Sequence, residues 1–348
     1  MAADTARAEG GLTGYYRALQ QAQLAPLWES LAALAPFEPK PQARPFAWSY
    51  PEIRAHLIEA GRLITAEQAE RRVVVLANPG LPGKLQATDT LYAGLQLILP
   101  GEIAPAHRHT QSALRFVMEG EGAYTAVDGE RTTMRPGDFI ITPAWTWHDH
   151  GGGSEPVIWM DGLDVPLVGF LKAEFREEHQ AKAQIPSRPE GDALARYGSG
   201  LLPVEMTGAT RTSPVFSYPY ERSREALEQL KRAGDIDPWR GLCLKYVNPT
   251  SGDWAMPTLG PTLTLLPKGF SSRPYRSVDS AVATLVEGRV RAEVGGERFE
   301  LGPKDVLALP GWTTVRLEAL EESVLFAFSD RPVYEKLGLW REWRDEAA

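Results

Sequence analysis

The chain has 348 residues, enough for two domains of ordinary size, each with a core of its own. Its 43% hydrophobic and 24% charged content is that of a globular protein in water. A net charge of -8 without a dense Lys/Arg block argues against a nucleic-acid surface, and no apolar run approaches membrane-spanning length. The opening segment MAADTARAEGG lacks the basic-then-apolar pattern of a secretory signal. Cys243 is the only cysteine, which fits a reducing compartment, so a cytoplasmic location is expected. An anionic substrate would need local positive charge to attract it, because the global field opposes it.

In chain order, Tyr15 to Leu34 reads as helix interrupted near Pro26. Pro51 to Ile64 reads as a second helix that opens on a helix-compatible proline. From Val73 the texture changes to short apolar runs, glycine turns and Pro-Gly punctuation, the mark of all-β structure. One helix, Glu221 to Ala233, is expected in the proline-containing stretch after the first β region, and an amphipathic segment, Val333 to Trp343, closes the chain. The expected division is 1–88, a helical arm and first strands; 89–165, a first barrel that carries the site; 166–250, a connector with a helix; 251–330, a second barrel without metal; and 331–348, a C-terminal helix.

The division rests on an internal repeat. ALRFVMEGEGAYTAVDGERTTMRPGDFIITPAWTWH, from Ala113, aligns with AVATLVEGRVRAEVGGERFELGPKDVLALPGWTTV, from Ala281. The offset is 168 (Glu119 against Glu287) and falls to 167 after one residue is dropped in the hairpin (Asp138 against Asp305). Each copy reads strand, glycine turn, strand, Gly/Pro-Asp turn, strand, a β-meander able to close into a small barrel.

Residues two apart in a strand share a face. His107 and His109 therefore point one way and Arg108 the other, with Gln111, Ala113 and Arg115 continuing the histidine face if the strand stays regular. Farther on, His148 and His150 share a face opposite to Trp147 and Asp149. A barrel would let His107, His109 and His148 converge on one metal ion. The repeat supplies a control, since the second copy has Tyr275, Ser277 and Val315 at those three positions. Arg115, Gln96 and Asp161 are likewise replaced, by Ala283, Thr264 and Phe328, while the turn residues persist. One copy thus reads as a site and the other as a vacated site. His56 and His179, in polar surroundings, read as structural.

GEIAPAHRHTQSALRFVMEG resembles the first cupin motif and GDFIITPAWTWHDHG the second. Where the first motif has a glutamate after H-x-H, Ala113 and Leu114 stand here. With three histidines, no glutamate, RRVVVLANPGL and VIWMDGLD, the chain resembles the gentisate 1,2-dioxygenases from about Thr13 to Trp340. The resemblance implies an all-β core of two cupin (double-stranded β-helix, jelly-roll) barrels and a mononuclear Fe(II) held by His107, His109 and His148. It implies O2-dependent opening of gentisate (2,5-dihydroxybenzoate) to maleylpyruvate, in a homo-oligomer, dimer or tetramer. It places Arg72, Arg115, Gln96, His150 and Asp161 around the substrate, with Tyr92 at another pocket-lining position.

Three neutral imidazoles leave the metal's full charge uncompensated, and a substrate carboxylate with its adjacent phenolate can supply the missing anions. Arg115 could pair with that carboxylate through its planar fork, with Arg72 as a second positive charge; a barrel-mouth salt bridge is the plainer alternative for Arg115. His150 could exchange a proton with the phenol or only orient water. Asp161 could orient His150 or a metal ligand, and Gln96 either bonds substrate or packs as a core amide. Salicylates or 1-hydroxy-2-naphthoate could be the ring instead, by the same chemistry. A non-enzymatic binding protein is the remaining alternative.

Overall fold

The computed structural model describes residues 2–346. Residues 1–40 form a unit of their own, with helices Ala2–Gln21 and Leu27–Leu34 broken ahead of Pro26. Within it Trp28 Nε1 donates to the Tyr16 hydroxyl, 3.0 Å away, and Tyr16 donates to Glu29. The first helix begins well before the expected Tyr15. No helix among the described residues is long and apolar enough to cross a membrane.

The rest of the chain is mostly strand and makes two barrels, each of a six-stranded and a five-stranded sheet. In the first barrel the larger sheet runs Ser217–Tyr218, Phe139–Thr142, Ala113–Glu119, Val157–Leu163, Tyr92–Ile98, Val73–Val75. The smaller one runs Arg176–Glu178, Ile103–His109, His148–Gly151, Tyr124–Val127, Glu130–Thr133. The second barrel repeats this order with Phe46–Trp48 at the edge of its larger sheet.

The two larger sheets pack on each other, because every second residue on their outer faces is apolar. Phe116 stacks on Phe326 with ring centroids 4.3 Å apart, and Phe139 lies against Phe326 and Tyr246. Gly162 leaves room for Phe328, whose Cζ would lie 2.6 Å from a Cβ built there. One buried cluster therefore runs through both barrels.

The repeat extends farther upstream than the motif alignment indicates. Phe46–Trp48 pairs with Val306–Leu309 of the second barrel, whereas Ser217–Tyr218 pairs with Phe139–Thr142 of the first. Each short strand leads into a helix, Tyr50–Leu63 or Tyr220–Ala233. The Tyr50 amide donates to Asp305 and its hydroxyl to Glu119; the Tyr220 amide donates to Asp138 and its hydroxyl to Glu287. Each tyrosine thus joins the two turn motifs, and Arg54 and Arg224 reinforce the same glutamates. The 1–88 and 166–250 stretches each give the other half of the molecule an edge strand.

The C-terminal helix expected at 331–348 is short. It spans Arg331–Lys336, stops before Gly338 at φ +69°, and is followed by a strand, Glu342–Arg344, paired with Tyr275–Ser277. A left-handed glycine ends a helix at little cost, which the amphipathic pattern alone does not register.

Candidate metal centre

Antiparallel pairing of Ile103–His109 with His148–Gly151 sets His107 opposite His148, after a register shift that follows Ala104. The rings of His107, His109 and His148 have centroids 4.4, 4.9 and 5.3 Å apart, and one ring nitrogen from each lies within 4.8 Å of the others. Each Nδ1 sits beside a backbone carbonyl two residues away: Pro105 O at 3.2 Å, Gln111 O at 2.8 Å and Thr146 O at 3.0 Å. For His109 and His148 a proton on Nδ1 directed at that carbonyl leaves Nε2 with its lone pair, as metal ligation requires.

Burial, with nearby arginines, pushes the imidazole of His107 down to about 2 and of His109 to about 4, and holds His148 well below the usual histidine range. All three are neutral near pH 7, the ligating form. A convergent neutral imidazole set of this kind supports a bound metal ion.

The positive charge around the site is concentrated in arginines. The Arg71 guanidinium lies 2.7 Å from His107 Nδ1 and donates to Pro105 O at 2.6 Å. Arg115, 4% exposed, donates to Thr142, and its Nε lies 3.5 Å from Asp161 Oδ1. Asp161 also accepts from Trp159 Nε1 at 2.9 Å. Burial lifts the Asp161 carboxyl to about 6 against the opposing pull of Arg115. Fully buried His150 shares an Nδ1 hydrogen bond of 2.9 Å with Thr125, and its Nε2 has no partner.

A cavity of about 420 Å³ opens beside the histidines, lined by Arg71, His107, His109, Gln111, Phe175 and Arg176 among others. Its outer wall is the strand Arg176–Glu178, paired along Ile103–His109 so that Arg176 lies opposite His109. Arg176 pairs with Glu70 at 2.8 Å, beside the same cavity. Arg108, on the opposite face from the histidines, lies 4.6 Å from both the Trp145 and Trp147 ring centres and bonds Glu177 at 2.8 Å. It fastens the covering strand to the histidine-bearing one.

Two expectations need correction. Arg72 turns away from the site, with both terminal nitrogens 2.8 Å from Glu102 and a further bond to Ile64 O. Arg71, not Arg72, lines the cavity beside the histidines. No strand periodicity covers Arg71, which lies in a bend just ahead of Val73–Val75, with the Val73 amide bonded back to Arg71 O. Asp161 bonds neither His150 nor a candidate ligand; it holds Trp159 and Arg115, and Thr125 bonds His150 instead.

The other expected residues gather on the inner face. Gln96, 3% exposed, makes no side-chain hydrogen bond among the described residues and pairs in register with Trp159. Burial, with the nearby Asp161 carboxylate adding to it, raises the Tyr92 phenol. Tyr92, Gln96, Arg115, His150 and Asp161 lie outside the lining of the 420 Å³ cavity. Thr125, Thr142, Trp159 and Arg176 gave no separate motif signal; alternation from Asp161 indicates the face of Trp159.

The second barrel retains the register without the chemistry. Tyr275 pairs with Val315 as His107 does with His148. The Trp312 amide bonds Ser277 O as the Trp145 amide bonds His109 O, and both tryptophans have positive φ, 57° and 63°. The register also corrects one correspondence. Asp161 faces Arg115, and Ala327 faces Ala283, so Ala327 is the counterpart of Asp161, while Phe328 answers to Gly162.

Residues 94–165 match the cupin domain family. The chain is 51% identical to gentisate 1,2 dioxygenase 1 of Aquipseudomonas alcaligenes over 95% of its length and 96% of that protein. It is 38% identical to a Streptomyces gentisate 1,2-dioxygenase over 95% of each. The crystal structure of salicylate 1,2-dioxygenase from Pseudoaminobacter salicylatoxidans with gentisate superposes with a TM-score of 0.92 at 33% identity, covering 97% of this chain and 94% of that one. With two barrels of one plan and a three-histidine cluster confined to the first, the chain belongs to the gentisate 1,2-dioxygenase family.

Proposed function

We propose that this chain cleaves gentisate with O2 to maleylpyruvate, using Fe(II) held by His107, His109 and His148. The observation that carries this reading is the convergence of three neutral imidazoles beside a cavity edged by Arg71, within a chain 51% identical to a gentisate dioxygenase. When bound, the ferrous ion would bring dioxygen chemistry and accept the substrate's carboxylate and phenolate oxygens. Zn(II) suits imidazoles as well but has no redox chemistry, so the reaction class selects iron.

The chain's own residues orient the acid. Arg71, at the cavity edge, receives the carboxylate, and Arg115 adds positive charge from within the barrel, where burial strengthens its field. Their local charge offsets the acidic surface of the protein. His150, buried behind the cavity with Nε2 unpartnered, would hold the proton of the substrate's ring hydroxyl, with Thr125 fixing its Nδ1. Asp161 positions Arg115 and Trp159, and Gln96 and Tyr92 stand deeper in the barrel, behind the cavity lining. The covering strand with Phe175 and Arg176 forms the outer wall of the cavity.

The salicylate-cleaving relative favours a second reading, with salicylates as alternative rings. Anaerobic Fe(II) loading followed by oxygen uptake and ring-fission absorbance on gentisate, salicylate and 5-substituted salicylates tests both. Higher kcat/KM on gentisate supports the first; higher kcat/KM on a salicylate replaces it with the second. No oxygen uptake on any of them removes both.

A further inference from the structure

The second barrel is hollow where its counterpart carries the metal centre. Replacement of bulky polar residues by small ones leaves a cavity of about 470 Å³, with Ala283, Ala327, Leu307 and Leu325 in its wall. Protein interiors close-pack, and an apolar void costs stability in proportion to its size. Duplication emptied this site without refilling it. Gly241, Thr262 and Thr264 also leave its sides open.

Its charges are unevenly matched. Arg240 pairs with Glu342 at 2.5 Å and Arg331 with Glu335 at 2.6 Å. Lys245 also lines the cavity, is exposed, and makes no ion pair or hydrogen bond among the described residues. Its ammonium sits 5.4 Å from the ring centre of Trp254, another lining residue. Strand alternation puts Lys245 on the same face as Cys243. Asp279, also in the lining, has a buried Oδ1 without a partner.

An apolar-walled chamber with one ammonium that has no direct ion pair and only the longer-range field of Glu335, beside an indole, and an acceptor lacking a donor, suits a particular chemistry. We propose that the second barrel binds a small hydroxylated aromatic monocarboxylate as a non-catalytic ligand, its carboxylate paired with Lys245 and its ring in the apolar chamber. The hydroxyl can donate to Asp279. This site needs none of the histidines and is independent of the reaction at the first barrel.

Equilibrium dialysis of labelled 3-hydroxybenzoate against the metal-loaded full chain tests it, with 3-hydroxybenzamide as the uncharged control. Two acids bind per wild-type chain, and Lys245→Met weakens one site about tenfold while ring-cleaving kcat is unchanged. Alkylation of Cys243, the only thiol, locates the occupant: saturating acid slows it in wild type and in Arg71→Ala, but not in Lys245→Met. One site per wild-type chain, undiminished double occupancy in Lys245→Met, or equal protection by the amide overturns the proposal.

Discussion

The Arg71 guanidinium lies 2.7 Å from Nδ1 of His107, while the next side chain, Arg72, is locked to Glu102 in the opposite direction. Neighbouring arginines therefore do separate work, and their substitution should separate binding from stability. Arg71→Ala should lower kcat/KM for a hydroxybenzoate roughly 10- to 100-fold, about 1.4–2.8 kcal/mol, with metal content unchanged. Arg72→Ala strands Glu102 and should cost roughly 3 kcal/mol of stability, with KM preserved in the folded fraction. Steady-state kinetics alongside urea unfolding decide the matter. A rise in KM for Arg72→Ala equal to that for Arg71→Ala would reverse the assignment.

Loss of any one histidine of the triad leaves two imidazoles, too few to retain the ion against dialysis. His107→Ala and His148→Ala should each lose both iron and oxygen uptake, whereas His150→Ala should keep its iron and lose turnover. Zinc-loaded wild type should bind metal at full stoichiometry and consume no oxygen. Elemental analysis with an oxygen electrode reads both quantities; an active, iron-replete His148→Ala protein would eliminate this centre.

Arg108 sits 4.6 Å from two indole centres and bonds Glu177, so it ties the covering strand to the histidine strand. Arg108→Ala should release roughly 1–2 kcal/mol of local interaction. Backbone amides in Arg176–Glu178 should then exchange faster, and KM should rise more than kcat falls. Hydrogen exchange that is unchanged across 175–179 would show that the clamp does not hold the strand.

Asp330 accepts a hydrogen bond from the Ser280 amide at 2.8 Å, and burial pushes its carboxyl up to about 7. The unfolded chain releases this proton near pH 4, so between pH 4 and 7 the folded state holds more protons. This group's contribution to stability is therefore complete below about pH 4 and declines as pH rises toward 7, by at most about 1.4 kcal/mol per unit. Asp330→Asn should flatten that part of the profile. Denaturant titrations at several pH values measure the slope, and identical slopes in the two proteins would contradict the assignment.

The histidine centre was legible in sequence because alternation puts His107 and His109 on one face, a closed barrel brings His148 to them from a second strand, and the duplicate lacking all three separates chemistry from folding. The barrel plan was legible through turn residues whose backbone demands recur, such as Trp145 and Trp312 at positive φ. Arg71 was missed because it lies in a bend just ahead of the three-residue strand Val73–Val75, where no alternation fixes which way a side chain points. The exchanged strands were missed for a similar reason. Phe46–Trp48 and Ser217–Tyr218 are too short for a periodicity, and their partners lie far away in sequence. The final strand was concealed behind a helical pattern that Gly338 interrupts.

Because the halves trade edge strands, neither can be excised as a self-sufficient module. A fragment ending at residue 165 would lack Ser217–Tyr218, and one starting at 251 would lack Phe46–Trp48. The half without the histidines is therefore indispensable as a clasp: its ligand positions can vary freely, but not the backbone edge on which the other half's arm rests.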